Sequence, residues 1–177
     1  MGDIVPASRV LLFAGIMVPY EQGYIDDWAP FSCFGNIKGR SPLIDFSAIT
    51  DYYDEEMGER IGKYYIYTDK LFDPADLPSF KIRSNELEDK FSKGGKRRVN
   101  FDVGYISLAN VVLASTKNFF HRIYLKDGIY AEVTLYYRDK KFQLLPWTYR
   151  DYQREDTQEF IMQARDYLKI SSRSGGR

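Results

Sequence analysis

One cysteine and one histidine are all that 177 residues contain of the two strongest metal-ligating side chains. Cys33 alone excludes an internal disulfide, and with His121 alone a zinc site built from the usual Cys and His clusters is excluded too. Net charge is also lacking: 25 Lys and Arg balance 25 Asp and Glu, so no global field draws the chain to nucleic acid or a membrane. Any anion binding must therefore be local. Long apolar runs are missing as well. The longest, Val10 to Val18, is too short to span a bilayer and lacks the basic flank of a signal peptide. Met1-Gly2 opens like a myristoylation signal, but Pro6 stands where Ser or Thr is required. These absences predict a cytoplasmic, soluble protein with no membrane anchor.

Aromatic residues are abundant at 16%, with 15 Tyr and 12 Phe, which suits the pleated, half-buried surfaces of a strand-rich fold. The length fits a single domain over 1–170 with its own core, followed by a short polar tail over 171–177. Val10 to Ile16 reads as a strand buried on both faces, hence central in its sheet. Apolar spacing from Tyr24 to Phe34 suggests a helix closed by Gly35, although Pro30 would kink or split it. Strands are expected over Leu43 to Ile49 and Lys63 to Thr68, with an acidic connection over Asp51 to Gly58 between them. Asp73-Pro74 has the form of a helix start that Pro78 should cut short, leaving Ser84 or Asn85 to cap the helix proper. A strand follows from Arg97, and Leu108 to Ala114 reads as a buried helix, though periodicity leaves a strand open. His121 to Leu125, Ile129 to Tyr137 and Lys141 to Leu145 form a three-stranded meander with a hairpin signal at Asp127-Gly128. An amphipathic helix from Glu155 to Leu168 ends the domain, with Asp156 and Glu159 in capping-box spacing. The element order gives an α+β fold, a largely antiparallel sheet with helices on one face, for which a ferredoxin-like βαββαβ core is one wiring.

Strand alternation creates the candidate site. Arg98, Asn100 and Asp102 alternate with Val99, Phe101 and Val103; Arg122 and Tyr124 alternate with Ile123 and Leu125; Glu132, Thr134 and Tyr136 alternate with Val133, Leu135 and Tyr137. If these strands share a sheet, their polar sides meet. Arg122 suits a carboxylate or phosphate, with Lys117 beside it. Asn100, Asp102, Arg98, Tyr124 and Thr134 are candidates to orient such a ligand. His121 and Glu132 are the acid and base should there be turnover, which the sequence leaves undecided. Against each stands a plainer role: a cross-strand salt bridge for Glu132 with Arg122, a strand-end carboxylate for Asp102, a packed histidine for His121. The basic run Lys93-Gly94-Gly95-Lys96-Arg97-Arg98 is either a phosphate-approaching loop or a solvated turn. Trp147, Tyr149 and Asp151 either wall a pocket or pack beneath the last helix. The acidic set Asp51, Asp54, Glu55 and Glu56 either holds a hard cation or is a solvated turn. No metal site and no particular cofactor follows from these letters.

A series of segments carries a resemblance. Thr50-Asp51-Tyr52-Tyr53, Glu56-Met57-Gly58, Asn85-Glu86-Leu87-Glu88, Arg97 to Asp102 with Gly104-Tyr105, Leu113 to Lys117, His121 to Leu125, Gly128 to Leu135, and Trp147-Thr148-Tyr149 with Asp151-Tyr152 occur in that order. On them the chain resembles a bacterial family catalogued as domain of unknown function 4416, some members of which carry the description GTP-binding protein. Two positions depart from the family pattern: Val103 and Arg150 stand where it has proline, which touches backbone shape more than chemistry. The resemblance brings no activity. GTP chemistry of the ordinary kind finds no support in the letters, because Gly35-Asn36-Ile37-Lys38-Gly39-Arg40-Ser41 is one residue short of a P-loop and has Arg where Lys belongs. The sequence thus points to a small anionic ligand, nucleotide or phosphorylated metabolite, over a polar sheet face. The alternative is an RNA- or protein-binding module whose exposed aromatics lie beside a basic patch. Oligomeric state is not legible.

Overall fold

A computed structural model describes residues 2–49, 57, 60–94 and 97–174. In chain order its strands are β1 (Val10–Pro19), β2 (Ile37–Arg40), β3 (Ile44–Asp45), β4 (Ile61–Phe72), β5 (Asn100–Ile106), β6 (Asn110–Ser115), β7 (Ile123–Lys126), β8 (Ile129–Arg138) and β9 (Lys141–Leu144), with helices α1 (Leu77–Lys90) and α2 (Glu155–Ser174). The strands form one open sheet in the order β2-β4-β1-β5-β6-β8-β7, with β3 also on β4 and β9 also on β8. Every pairing is antiparallel, but the order of elements is not that of a ferredoxin-like βαββαβ core: β2, β3 and β4 stand between β1 and α1, and among the described residues no strand follows α2.

The apolar run of β1 does lie at the centre, between β4 and β5. Its alternate residues feed two cores. Val10, Leu12, Ala14, Ile16 and Val18 pack with Phe31, Phe34, Phe101, Val103 and with Leu77 and Leu87 of α1. Leu11 and Phe13 pack on the other face with Tyr65, Leu135, Tyr152 and with Phe160, Ile161, Ala164 and Leu168 of α2. The helices therefore cover opposite faces, where the sequence reading placed them on one. A strand with both faces apolar needs a cover on each, because every buried large aliphatic or aromatic side chain stabilises by about 1.5–3 kcal/mol.

Local chemistry explains the other departures. Tyr24 to Phe34 forms only short 3-10 turns, Tyr20–Gln22 and Ala29–Phe34, the second opened by Pro30 and ended at Gly35 with φ 93°. Asp73 caps a turn over Pro74–Asp76 by accepting from the Ala75 amide at 2.9 Å, and α1 begins at Leu77, through Pro78. Proline in a first turn loses no helical hydrogen bond, so Pro78 does not stop the helix, and Ser84 lies buried inside it instead of capping it. Leu108 to Ala114 is not a helix. Ser107 Oγ accepts from the Ala109 and Asn110 amides at 3.0 and 2.9 Å, closing a tight turn from which β6 runs on. Strand β2 is an addition, and β3 is shorter than Leu43 to Ile49.

Both C-terminal hairpins form, with Asp127 and Gly128 at φ 53° and 76° in one turn and Asp139 and Lys140 at 53° and 63° in the other. Since β6 occupies one edge of β8, β7 and β9 share the other, end to end. Between them, the Trp147 indole donates to the Val133 carbonyl at 2.8 Å and Thr148 Oγ1 to the Thr134 carbonyl at 2.6 Å. Asp156 pairs with Arg154 at 2.7 Å and accepts from the Thr157 amide, and α2 continues beyond Leu168 to Ser174. Residues 175–177 lie outside the described residues, as do Gly95 and Lys96 of the basic run and Asp51 to Glu56 of the acidic connection.

Candidate functional site

Strands β5 and β6 leave their tight turn paired, Gly104 to Ile106 against Val111 to Leu113, and then part. Beyond that point β6 stays with β8 and β5 stays with β1. The ladder groups of β5 freed by this divergence are taken by side chains of α1. Lys81 Nζ donates to the Phe101 carbonyl at 2.8 Å, and the Phe101 amide donates to Glu88 Oε1 at 2.9 Å. A buried amide and carbonyl must find partners, and here a lysine and a glutamate replace a neighbouring strand. Burial pushes the Glu88 carboxyl above its ordinary range, partly opposed by Lys81.

The divergence opens a cleft of about 930 Å³, lined by Asn100 and Asp102 of β5, Leu113 to Lys117 along β6 and just beyond it, Lys81 and Glu88 of α1, and Lys63, Arg122, Glu132, Tyr149, Arg150 and Asp151. That volume lies within the range of small-molecule sites. One wall is the ion network of Lys63. Its Nζ lies 2.8 Å from Asp102 Oδ2 and 2.8 Å from Asp151 Oδ2, and the Tyr65 hydroxyl donates to Asp151 at 2.5 Å. The rings of Phe46, Tyr65 and Tyr152 surround the ammonium, with centroids 4.8, 5.7 and 5.6 Å away. Burial opposes charge on Lys63, but the two carboxylates outweigh it and hold the ammonium well above the ordinary lysine range. For Asp102 burial acts upward, and Lys63 overcomes it to leave the carboxyl below its ordinary range. Gly15 pairs with Tyr65 on one side and Asp102 on the other, and a Cβ there would stand 3.0 Å from Lys63 Cε. The missing side chain is what lets Lys63 cross to Asp102.

The other wall centres on Glu132, whose side chain is 1% exposed. Its Oε2 meets His121 Nε2 at 2.7 Å and accepts from Arg122 Nε at 2.8 Å. Arg122 also donates to the Lys117 carbonyl and to the Tyr149 hydroxyl, each at 2.8 Å. Burial and Glu132 push the Tyr149 hydroxyl up to about 12, partly offset by Arg122. Glu132 Oε1 and His121 Nδ1 are buried with no hydrogen-bond partner among the described residues.

Of the residues singled out by alternation, the cleft brings together Asn100, Asp102, Lys117, Arg122 and Glu132. His121 lies behind Glu132, stacked on Trp147 at 4.9 Å and 14°, and reaches the cleft only through that carboxylate. Arg98 does not line it. Tyr124 stands 57% exposed on edge strand β7, against Tyr130. Thr134 is fully buried. A bulge in β8 faces Val111 and Val112 with Leu135 and Val133, so Thr134 is the extra residue, and Leu135 returns to the face of Glu132. The sequence reading missed Lys63, Lys81 and Glu88; their one signal is a charge within an otherwise apolar strand or helix face. Tyr149 and Asp151 line the cleft, whereas Trp147 packs behind it.

The ordered segments that carry the family resemblance supply much of this cleft, and the family model described as Domain of unknown function (DUF4416) matches residues 8–167. The chain belongs to this family. No curated protein and no solved structure matches it. The DUF4416 description names no activity, and the segment nearest to a P-loop, Gly35 to Ser41, contains strand β2 and leads on into strand β3, not directly into a helix as a phosphate cradle requires. Among the described residues no group of three or more His, Cys, Asp or Glu is placed to hold a metal ion, and no helix is long and apolar enough to cross a membrane.

Proposed function

We propose that the DUF4416 cleft binds a small anionic molecule, a nucleotide or a phosphorylated metabolite, with Arg122 as the principal contact. The supporting observation is the state of that side chain. A guanidinium carries five N–H donors; three are engaged, by Glu132, the Lys117 carbonyl and Tyr149, so among the described residues two are left without a partner on a group fixed in the cleft wall. A preorganised guanidinium with spare donors suits phosphate or carboxylate oxygens. Lys117 and exposed Arg150 add positive charge, and Asn100 and Asp102 orient the remainder of the ligand. If a bound ligand is converted, Glu132 is the acid–base group and His121 exchanges protons through it.

A second reading, a surface for RNA or a protein, draws on Phe119, Phe120, Ile123 and Tyr124, exposed by 57, 81, 71 and 57% along one segment. It does not account for a concave polar cleft, and zero net charge weighs against RNA.

A thermal-shift panel of nucleotides, phosphorylated metabolites, carboxylates and short RNAs, run on the native chain and on Arg122→Gln, tests the reading. An anion at a hundred times its Kd stabilises by about 2.7 kcal/mol, roughly 5–10 °C for a domain of this size. The expected result is a shift with one anion class that is lost in the folded variant. No shift with any anion, or an equal shift in the variant, refutes it.

A further inference from the structure

We infer that the ligand bears hydroxyl groups beside its anionic group, as a phosphorylated sugar or polyol does; this rests on the reading of the cleft as an anion site. The inference comes from Glu132. Its Oε2 is occupied by His121 and Arg122, but Oε1 is buried and has no partner among the described residues, on a side chain that forms part of the cleft wall. Buried polar atoms without partners are rare, and each calls for an occupant. An ionised carboxylate only accepts, so that occupant must donate.

Three ligand types are thereby disfavoured. Inorganic phosphate and small dicarboxylates offer mainly acceptors near neutral pH and would set negative charge against Glu132. An ammonium would donate, but the Arg122 guanidinium, 2.8 Å from the same carboxylate, already compensates its charge and would repel a second cation. A flat aromatic ligand with neither hydroxyl nor N–H groups offers no donor to Oε1. A neutral hydroxyl meets the requirement at Oε1, and Asn85, Asp89, Asn100 and Asp102 in the same lining can accept from further hydroxyls. The two walls then divide the work: Arg122 takes the phosphate, and the carboxylates take the hydroxyls.

Calorimetric titration of the full chain with ribose 5-phosphate, methyl phosphate and inorganic phosphate tests this. A hydrogen bond to a buried carboxylate should make ribose 5-phosphate bind about tenfold or more tightly than methyl phosphate. Glu132→Gln should remove most of that preference. Adenosine monophosphate, as a further arm, separates a free sugar phosphate from the same group within a nucleotide: the tighter binder identifies the source. Equal affinity for ribose 5-phosphate and methyl phosphate in the native chain overturns the hydroxyl requirement and leaves the anion site standing. Binding of none of the four overturns both. The native-chain ratio decides the matter even if Glu132→Gln does not fold.

Discussion

Replacing Lys63 by methionine keeps the length and apolar stem of the side chain and removes only its charge. In the native fold the ammonium sits 2.8 Å from each of two carboxylates, and its side chain is 4% exposed. At an effective dielectric of 20, each contact is worth about 6 kcal/mol of attraction, most of which is offset by the cost of stripping water from the ions. Removing the cation leaves Asp151, 3% exposed, and Asp102, 30% exposed, facing each other uncompensated. Breaking a buried pair in this way costs about 3–5 kcal/mol, roughly 6–20 °C in Tm for a chain of this size. The pH dependence follows from the shifts. Lys63 is raised, so its contribution is complete below the unfolded lysine value of about 10.4 and is lost only as pH rises through the folded value. Asp102 is lowered, so its contribution is complete above the unfolded value of about 3.9 and is lost as pH falls through the folded one. Native stability from this network is therefore level between about pH 5 and pH 9. In Lys63→Met a carboxyl gains a raised folded value, so the deficit is largest near neutrality and shrinks as pH falls toward 4. Urea unfolding of both chains at about pH 7 and about pH 4.5 measures the gap directly. A deficit below about 1 kcal/mol at neutral pH, or one that does not narrow on acidification, refutes the assignment of Lys63 as the counter-charge.

Two further substitutions probe what holds the walls in place. Gly15→Ala sets a Cβ 3.0 Å from Lys63 Cε and 3.3 Å from Tyr65 Cε1, so the ammonium must leave its line to Asp102. A loss of about 1–3 kcal/mol in urea unfolding is expected, and a neutral result would show that the crossing needs no bare glycine. Trp147→Phe deletes the indole donor to the Val133 carbonyl and should cost about 1–3 kcal/mol by circular dichroism, whereas an unchanged midpoint would mean that water takes its place.

What was legible in the letters was mostly local. The unbroken apolar run of β1 announces a strand covered on both sides, and the turn residues at Asp127-Gly128 announce a hairpin, since each depends on neighbours in sequence. The pairing of Arg122 with Glu132 follows from that hairpin and was legible with it. The strand nature of β6 was not, because a six-residue apolar run satisfies either period until a partner strand is known. Thr134 was misplaced by simple alternation, which a one-residue bulge reverses from that point on. The network of Lys63 lay out of reach because its contacts join β4 to β5 and to the 3-10 turn Arg150–Gln153, far apart in the chain. No local pattern encodes such a meeting; the only hint is a lysine set among the aromatic and apolar residues from Ile61 to Tyr67.

The parting of β5 from β6 means that the breadth of the cleft beside Phe101 is not set by the fixed spacing of a backbone ladder. It is set by the reach of Lys81 and Glu88, the two side chains standing in for the absent strand. Interstrand distance is the same in every sheet, whereas side-chain reach changes with each substitution. Shortening the glutamate to aspartate, or exchanging lysine for arginine, would draw in or push out one lip of the cleft while the rest of the sheet kept its register. The aperture is thus an adjustable dimension of this architecture, open to variation without any change of topology.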